Sequence, residues 1–293
     1  MTHDASVRTV PHAGSLAAIR LLRPRHWIKN LFVLAPLIFS GLFTRRSETL
    51  LALAGTFLFC VAASIVYVIN DLADLRIDAL HPVKRLTRPL ASGAVSVTTA
   101  RVILVALAAF LLAGSLLSVP LVAVLIGYII LNVFYSTWLK RIPVVDIFCV
   151  ATGFVLRVYA GAVVIDVPLS AWMLVTTLSI ALYLAAIKRR DELDTQGNGA
   201  RVVLDEYSVP LLDRFALMAS VCAMVFYSLF VVTTRPVLAF TVPLVLFGIF
   251  RYWFLVDRQG RGESPTDVLW SDRPLVVTVL IWGILCAFLL RQP

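Results

Sequence analysis

The chain has 293 residues, of which 60% are hydrophobic and 15% are charged, and its mean hydropathy is +0.92. A soluble domain of this size carries about 45–50% apolar and about 25% charged residues. The apolar excess comes in long blocks, so a soluble globular enzyme, a disordered chain, a collagen-like chain and a coiled coil are excluded. We therefore expect an all-α polytopic membrane protein.

The net charge of +9 comes from 26 Lys and Arg residues against 17 Asp and Glu residues. In a soluble protein such a balance would raise nucleic acid as a partner. No zinc-finger, RNA-binding or basic-helix pattern accompanies it here, and basic cytoplasmic loops are typical of membrane proteins. We therefore expect a lipid bilayer as the surroundings and no nucleic-acid partner.

Nine apolar segments are long enough to cross a bilayer, which takes about 20 residues of α-helix. The first is the weakest, because Lys29 and Asn30 interrupt its start. Prolines mark the start of the fifth span and two short connections, where a missing N–H costs little. The predicted spans are 27–44, 50–69, 102–119, 121–139, 143–165, 167–187, 215–233, 236–256 and 275–290.

The distribution of Lys and Arg predicts the orientation of these spans. With the N-terminus inside, 21 of the 26 fall on the inner side, 4 fall on the outer side, and Arg157 lies within a span. Because cytoplasmic loops are rich in Lys and Arg, this favours a multi-pass cell-membrane protein with a cytoplasmic N-terminus. The long inner loops also hold most of the acids. We expect a short cytoplasmic tail over 1–19, one transmembrane domain over 20–293, and an active site open to the cytoplasm.

The most informative segment follows the second span. Asn70, Asp71, Asp74 and Asp78 are three or four residues apart in sequence, which brings them onto one face of a helix. Like charges at a membrane boundary repel unless a cation neutralises them, and oxygen ligands suit Mg²⁺ bound together with substrate phosphates. We predict that these four residues hold Mg²⁺ and that Asp71 and Asp74 are catalytic. The alternative is a helix end that reaches water with solvated aspartates.

Three cations follow directly in a loop that prolines interrupt: Lys84, Arg85 and Arg88. Ammonium and guanidinium groups beside a metal suit a phosphorylated substrate. The alternative is the ordinary positive charge of a cytoplasmic loop, which explains any single one of them well. Their closeness to the aspartates in the sequence favours phosphate binding.

The string Asn70-Asp71-x-x-Asp74-x-x-x-Asp78 resembles the first aspartate-rich motif of the UbiA superfamily of intramembrane prenyltransferases. The resemblance implies about nine helices around a central cavity, magnesium-diphosphate binding, and transfer of a group between a diphosphate and an acceptor.

The longer string 70–93, with the segments 23–30, 188–193 and 272–274, is similar to the phosphoribosyltransferase branch of that superfamily. This resemblance implies 5-phosphoribosyl diphosphate as donor, a decaprenyl-type polyprenyl phosphate as acceptor, and a product that serves as the lipid-linked ribose precursor of cell-wall arabinan. It gives supporting roles to His81, Glu192 and Tyr207, although a loop tyrosine resting at the membrane interface is an equal reading of Tyr207.

The segment Lys188-Arg189-Arg190-Asp191-Glu192-Leu193-Asp194 stands where ordinary members carry a second aspartate motif. Cations lead it, so we predict that Lys188 and Arg189 bind phosphate directly. This arrangement suits 5-phosphoribosyl diphosphate better than a prenyl diphosphate. Asp191 and Asp194 are three residues apart and could still ligate a metal, so the donor and the number of metals stay open.

Two further cations are assigned to the donor phosphates. Arg157 falls in mid-span, where a charged residue costs about 2.5–3.5 kcal/mol and usually faces a cavity and a partner. Asp146 or a substrate phosphate are the candidate partners, and the resemblance places this arginine near the donor. Lys29 lies at the start of the first span, where it either binds phosphate or extends to the membrane interface.

Two other functions remain open. One is a conventional prenyltransferase that joins a polyprenyl diphosphate to an aromatic or lipid acceptor. The other is a transporter of an anionic metabolite, although the charged residues cluster at one face and transporters usually bind at the midplane between repeated halves. The sequence leaves open the lipid chain length and whether the chain forms a homo-oligomer.

Overall fold

The computed structural model describes residues 14–196, 202–259 and 271–291. These residues are mostly helical and include no strand. Four short helices are α1 (Gly14–Leu21), α2 (Ala35–Phe39), α4 (Leu75–Leu80) and α5 (Lys84–Thr87). The eight long helices are α3 (Arg46–Ala73), α6 (Val97–Ala113), α7 (Val119–Thr137), α8 (Val145–Val164), α9 (Ala171–Gln196), α10 (Val209–Thr234), α11 (Val242–Gln259) and α12 (Arg273–Leu290).

Each of the eight long helices is long and apolar enough to cross a membrane. They correspond to the second to ninth predicted spans and confirm the predicted all-α membrane architecture. Their starts follow the local sequence. A serine or aspartate side chain accepts the N–H of the third residue of α6, α7, α10 and α12, and three of these helices carry proline in the first turn. The cytoplasmic orientation stays a prediction.

The first predicted span, 27–44, is not among these eight helices and differs in helix type. The chain forms a long 3₁₀ helix, Pro24–Leu34, followed by α2. Pro36 lacks the N–H that a continuous α-helix would bond to the Phe32 carbonyl, and the Ala35 N–H donates to that carbonyl instead. Because a 3₁₀ helix rises about 2.0 Å per residue, against 1.5 Å in an α-helix, the two pieces extend about 30 Å, the thickness of a bilayer core.

The long 3₁₀ helix presents three distinct rows of side chains, because it has three residues per turn. The first row faces the core, where Asn30 and Val33 are fully buried and the Trp27 indole donates to Ser64 Oγ at 3.2 Å. The second row consists of His26, Lys29 and Phe32, of which Lys29 and Phe32 line the two cavities described below. In the third row Ile28 and Leu31 are exposed.

Gly161 allows the long 3₁₀ helix to lie against α8. A Cβ atom at this position would be only 1.9 Å from the Val33 carbonyl oxygen. Glycine therefore permits a backbone approach that no other residue permits here. The contact places the polar residues of the 3₁₀ helix beside those of α8.

Candidate active site

Asp71, one of the acids of the predicted metal site, is buried, with 2% of its surface exposed. Its Oδ1 accepts from Arg23 at 2.5 Å and from Arg88 at 3.1 Å. Its Oδ2 is buried and has no hydrogen-bond partner among the described residues. A buried carboxylate oxygen without a partner is costly, so this oxygen is suited to an external ligand.

Asn70 and Asp74 lie beside Asp71. The Asp74 N–H donates to the Asn70 carbonyl at 2.9 Å, so the helical spacing continues to the end of α3 as predicted. Neither side chain makes a hydrogen bond or ion pair within the ranges that the structure covers. Asn70, Asp71 and Asp74 together therefore offer oxygen atoms that the protein itself does not use.

Asp78 differs from these three residues. It is 2% exposed, forms an ion pair with Arg88, and lies 3.5 Å from Lys84 Nζ. Arg88 thus joins Asp71 to Asp78 and separates the two carboxylates. For this reason the described ranges contain no group of three His, Cys, Asp or Glu side chains close enough to hold a metal as they stand.

The predicted phosphate-binding loop is only partly open. Lys84 and Arg88 turn back onto the acids of the same segment. Arg85 is exposed and has no partner in the part of the chain that is described. His81 has a structural contact, because its Nδ1 accepts the backbone N–H groups of Val83 and Lys84 at 3.2 and 3.3 Å and so stabilises the start of α5.

A polar cavity of about 150 Å³ lies between the long 3₁₀ helix, α3, α7 and α8. Tyr67 connects it to the acidic end of α3, since the Arg23 guanidinium that pairs with Asp71 also lies over the Tyr67 ring at 4.9 Å. The cavity is lined by Lys29, Tyr67, Tyr128, Leu131, Asn132, Tyr135, Cys149, Val150, Gly153, Phe154 and Arg157.

Arg157 lies in this cavity as predicted but is not paired with Asp146. Its Nε donates to Asn30 Oδ1 at 2.9 Å, Nη1 to the Gly153 carbonyl at 2.7 Å, and Nη2 to the Tyr128 hydroxyl at 3.1 Å. Asp146 is instead bound by Arg189. The candidate partner that remains from the sequence is a substrate phosphate.

Arg189 lies in a closed network. Its Nε donates to Asp146 at 2.7 Å, Nη1 to Glu192 at 2.7 Å, and Nη2 to the Tyr135 hydroxyl at 2.9 Å. The residue is 3% exposed. Two buried carboxylates, those of Asp146 and Glu192, already balance its charge, so this geometry does not present Arg189 to a phosphate.

Tyr207 completes the network from the loop before α10. Its hydroxyl donates to Asp146 at 2.7 Å and accepts the Val144 N–H at 2.6 Å. Burial raises the pKa of Tyr207 well above its usual value, so the hydroxyl remains a donor at physiological pH. Val144 has φ of +68°, a strained conformation for a β-branched residue, and this hydrogen bond helps to hold it.

The other residues of the predicted second motif are divided between surface and interior. Lys188 Nζ lies 3.8 Å from Glu192, which also accepts from Arg189. Asp191 is 1% exposed whereas Asp194 is exposed. The two aspartates therefore occupy different surroundings, and the buried ion pairs of this segment are those of Arg189 with Asp146 and Glu192.

An apolar chamber of about 410 Å³ adjoins the long 3₁₀ helix at Phe32 and lies between α2 and helices α8 to α12. Phe32 lines the chamber and Phe154 lines the polar cavity, and their rings meet edge to face with centroids 5.1 Å apart. This aromatic pair therefore stands between the two spaces. Other chamber residues include Phe39, Met173, Ile180, Tyr227, Val245 and Trp282.

Sequence reasoning missed Arg23, Tyr128 and Tyr135 as site residues. Arg23 belongs to the segment 23–30, which carried part of the resemblance, so its position was a usable signal. Its backbone is left-handed, with φ of +53°, which only the structure reveals. The two tyrosines lie within apolar spans, where aromatic residues are too common to indicate a site.

Known proteins resemble this chain over nearly its full length. The decaprenyl-phosphate phosphoribosyltransferase of Corynebacterium glutamicum is 35% identical and the match covers 95% of this chain and 88% of the relative. The protein of the same name from Mycobacterium tuberculosis is 35% identical, with 94% and 95% covered. A solved UbiA homologue from Archaeoglobus fulgidus, bound to GPP and Mg²⁺, has a TM-score of 0.70 at 20% identity, with 94% and 100% covered.

The family model of the UbiA prenyltransferase family matches residues 32–271. This match and the curated relatives confirm the predicted resemblance, and the solved structure confirms the fold. The chain belongs to the UbiA prenyltransferase family and is a membrane-embedded transferase.

Proposed function

We propose that the protein transfers the 5-phosphoribosyl group from 5-phosphoribosyl diphosphate to a decaprenyl-type polyprenyl phosphate, releasing diphosphate. The product would be the lipid-linked ribose precursor of cell-wall arabinan. The polar cavity, which Tyr67 and Arg23 connect to Asp71, carries this proposal, because its cations, tyrosines and amide suit a phosphorylated sugar. The names of the near full-length relatives also support it.

Mg²⁺ is the proposed cofactor, and the end of α3 fits it. Asn70, Asp71 and Asp74 supply hard oxygen atoms that are not engaged by other described residues, including the buried Asp71 Oδ2. The Archaeoglobus fulgidus homologue solved with Mg²⁺ supports the same choice. When bound there, the ion neutralises charge on the leaving diphosphate. Asp78 forms ion pairs with Lys84 and Arg88, so we assign it to fixing the loop in place and not to binding Mg²⁺.

The cations of the α4–α5 loop and Lys188 remain proposed contacts of the diphosphate. Arg85 is exposed and engaged by no other described residue, while Arg88 and Lys84 already lie at the acids and can turn toward an incoming phosphate. Arg189 is better suited to hold Asp146, Glu192 and Tyr135 in place. Tyr207 and Glu192 support it in that position.

The reaction needs positioning and charge stabilisation more than proton transfer. The bond from the anomeric carbon to the diphosphate breaks, and a polyprenyl phosphate oxygen forms the new bond to that carbon. Because the acceptor is already an anion, no strong base is required. The cations around the site stabilise the negative charge that develops on the leaving group, and the cavity holds the sugar in line with its acceptor.

The apolar chamber is the proposed place of the acceptor's lipid tail. An acceptor with its tail in the chamber and its phosphate near the polar cavity would pass the aromatic pair Phe32 and Phe154. The same chamber also favours the second candidate function, that of a conventional prenyltransferase. A prenyl diphosphate donor could place its tail there, as a conventional prenyltransferase requires.

The test is a transfer assay on purified protein in detergent with Mg²⁺. Labelled 5-phosphoribosyl diphosphate is offered with a polyprenyl phosphate, and label is counted in the lipid phase. We expect label in lipid that EDTA abolishes. Transfer from a prenyl diphosphate to an aromatic acid, with none from 5-phosphoribosyl diphosphate, would overturn the proposal in favour of the conventional activity. Turnover that depends on a gradient across vesicles would instead support the transporter.

A further inference from the structure

The segment formed by α4 and α5 turns its apolar side chains outward. On the inner side of α4, the Asp78 carboxylate is buried and ion-paired. On the outer side, and continuing into α5, four large apolar side chains are between 61% and 86% exposed. These four residues form an apolar strip: Ile77, Leu80, Val83 and Leu86. A helix at a protein surface in water buries its apolar face, so the strip requires a cover other than water.

The length of α3 places the strip at the surface of the bilayer. α3 has 28 residues and is about 42 Å long, close to the total thickness of a bilayer with its headgroups, about 40–45 Å. Its last turn therefore lies in the headgroup layer, and α4 begins directly after Asp74. Trp138 ends α7 on the same side of the bilayer and is largely exposed, as is typical of tryptophans in this layer.

The charges around the apolar strip are those that anionic headgroups attract. Arg76 and Arg85 stand between strip residues in the sequence, and both are exposed. The acids of the segment are withdrawn from the surface, since Asp78 is buried and Asp74 is half-buried. Apolar side chains bordered by basic ones are typical of helices that lie in the plane of a membrane. The surface therefore fits the headgroups of an anionic leaflet.

A second helix at this end of the bundle has the same character. Leu21 of α1 is fully buried and belongs to the same apolar cluster as Leu90, which follows α5. Leu16 and Ile19 of α1 are more than half exposed, and Arg20 beside them is exposed. A single lipid surface covers both elements at once, whereas a protein partner has to match two separate elements. This favours lipid as the cover.

We propose that the apolar strip, together with Arg76 and Arg85, is a lipid-binding surface that lies in the headgroup layer of an anionic leaflet. The inference goes beyond the proposed function, because it depends on neither the donor nor the acceptor. It bears on the candidate active site, since Arg88 follows the strip closely and pairs with both Asp71 and Asp78. Lipid contact thus fixes the loop that carries these ion pairs.

The first measurement is fluorescence quenching of a bimane label at Leu80→Cys in the full-length protein, reconstituted in lipid nanodiscs. Leu80 is the most exposed member of the strip, so we expect the labelled variant to fold as the wild type does. We expect lipids brominated close to the headgroup to quench the label, and we expect iodide in the water not to reach it. Labelled wild type corrects for the four native cysteines.

Glu206→Cys is the matched control, because Glu206 is an exposed acid in the loop before α10. Its label should be quenched by iodide and not by brominated lipid. A Leu80→Cys label that iodide quenches and brominated lipid does not would overturn the proposal. A label that neither agent quenches would also overturn it, in favour of a second copy of the chain or another protein as the cover.

Lipid composition tests the role of charge. In phosphatidylcholine nanodiscs, we expect lipid quenching of the Leu80→Cys label to grow as phosphatidylglycerol is added. Arg76→Gln should raise the phosphatidylglycerol fraction that gives half of this increase about fivefold. Arg46→Gln, at the opposite end of α3, should leave that fraction unchanged.

An unchanged fraction in Arg76→Gln would overturn the assignment to anionic headgroups. None of these measurements uses group transfer. Failure of the proposed function would therefore leave this inference standing, and failure of the quenching experiment would leave the proposed function standing.

Discussion

The ends of α3 and α9 carry similar mixtures of acids and cations, yet they differ in how their hydrogen bonds are used. At the end of α3, Asp71 keeps one buried oxygen without a protein partner. At the end of α9, every nitrogen of Arg189 is bonded to an acid or a tyrosine. Charge content alone therefore does not identify a ligand site. The partners of each charged group have to be known as well, because the charge of Arg189 is balanced by Asp146 and Glu192.

The largest effect is expected from Asp71→Asn. We predict a loss of kcat of about 100- to 1,000-fold, because charge stabilisation at the leaving group is removed. The assay is phosphoribosyl transfer over a range of Mg²⁺ concentrations, with the exposed Asp194→Asn as the control. Near wild-type turnover in Asp71→Asn would contradict the assignment of the end of α3 as the ligand site.

Arg189→Gln should chiefly affect stability. The substitution leaves Asp146 buried without its cation and Glu192 with Lys188 alone, and breaking a buried pair in this way costs about 3–5 kcal/mol. The measurement is the loss of Tm in detergent. A variant that folds normally and shows only a raised KM for the donor would mean that Arg189 binds phosphate after all, as its sequence position predicts.

Tyr207→Phe is a milder change in the same network. Losing the hydroxyl removes a donor to Asp146 and an acceptor for the Val144 N–H, at a cost of about 1–3 kcal/mol. Burial raises the pKa of Tyr207 above its value of about 10 in the unfolded chain. The stability that the neutral hydroxyl contributes is therefore fully present below pH values of about 10. It is lost as the pH rises through the higher pKa of the folded state.

The Tm difference between wild type and Tyr207→Phe should therefore stay constant from about pH 6 to about pH 9. Thermal melts across that range test this expectation. A difference that shrinks as the pH rises within it would contradict a buried, neutral hydroxyl.

The smallest effect is expected from Arg85→Gln. This exposed side chain can change without loss of stability, since surface substitutions usually stay within about 0.5 kcal/mol. We expect an unchanged Tm and a KM for the donor that rises by about two- to fivefold, as fits one exposed charge contact. An unchanged KM would restrict the ligand site to the buried residues.

Much of the fold could be predicted from the sequence, because long apolar blocks have few alternatives to membrane-spanning helices. The spacing of Asn70, Asp71 and Asp74 also follows directly from helix geometry. Partner choice could not be predicted, since several cations lay within reach of each acid. Thus Asp146, a candidate partner of Arg157, is bound by Arg189, and Arg23 pairs with Asp71 from 48 residues away.

The 3₁₀ conformation of residues 24–34 also could not be predicted from the sequence. Apolar length predicts a crossing, but it does not indicate that the sixteen residues 24–39 match the thickness of a bilayer core only because most of them form a 3₁₀ helix. The bond from the Ala35 N–H to the Phe32 carbonyl and the close approach at Gly161 are tertiary features. Neither leaves a pattern in hydropathy.

The three rows of the long 3₁₀ helix limit how its sequence can change. A single inserted or deleted residue between Trp27 and Val33 would rotate everything beyond it by about 120°. If the change precedes Lys29, its side chain would turn from the row beside the polar cavity to the exposed row or to the row that faces the core. Only changes in multiples of three preserve the assignment of faces, so we expect this element to change in length only by whole turns of three residues.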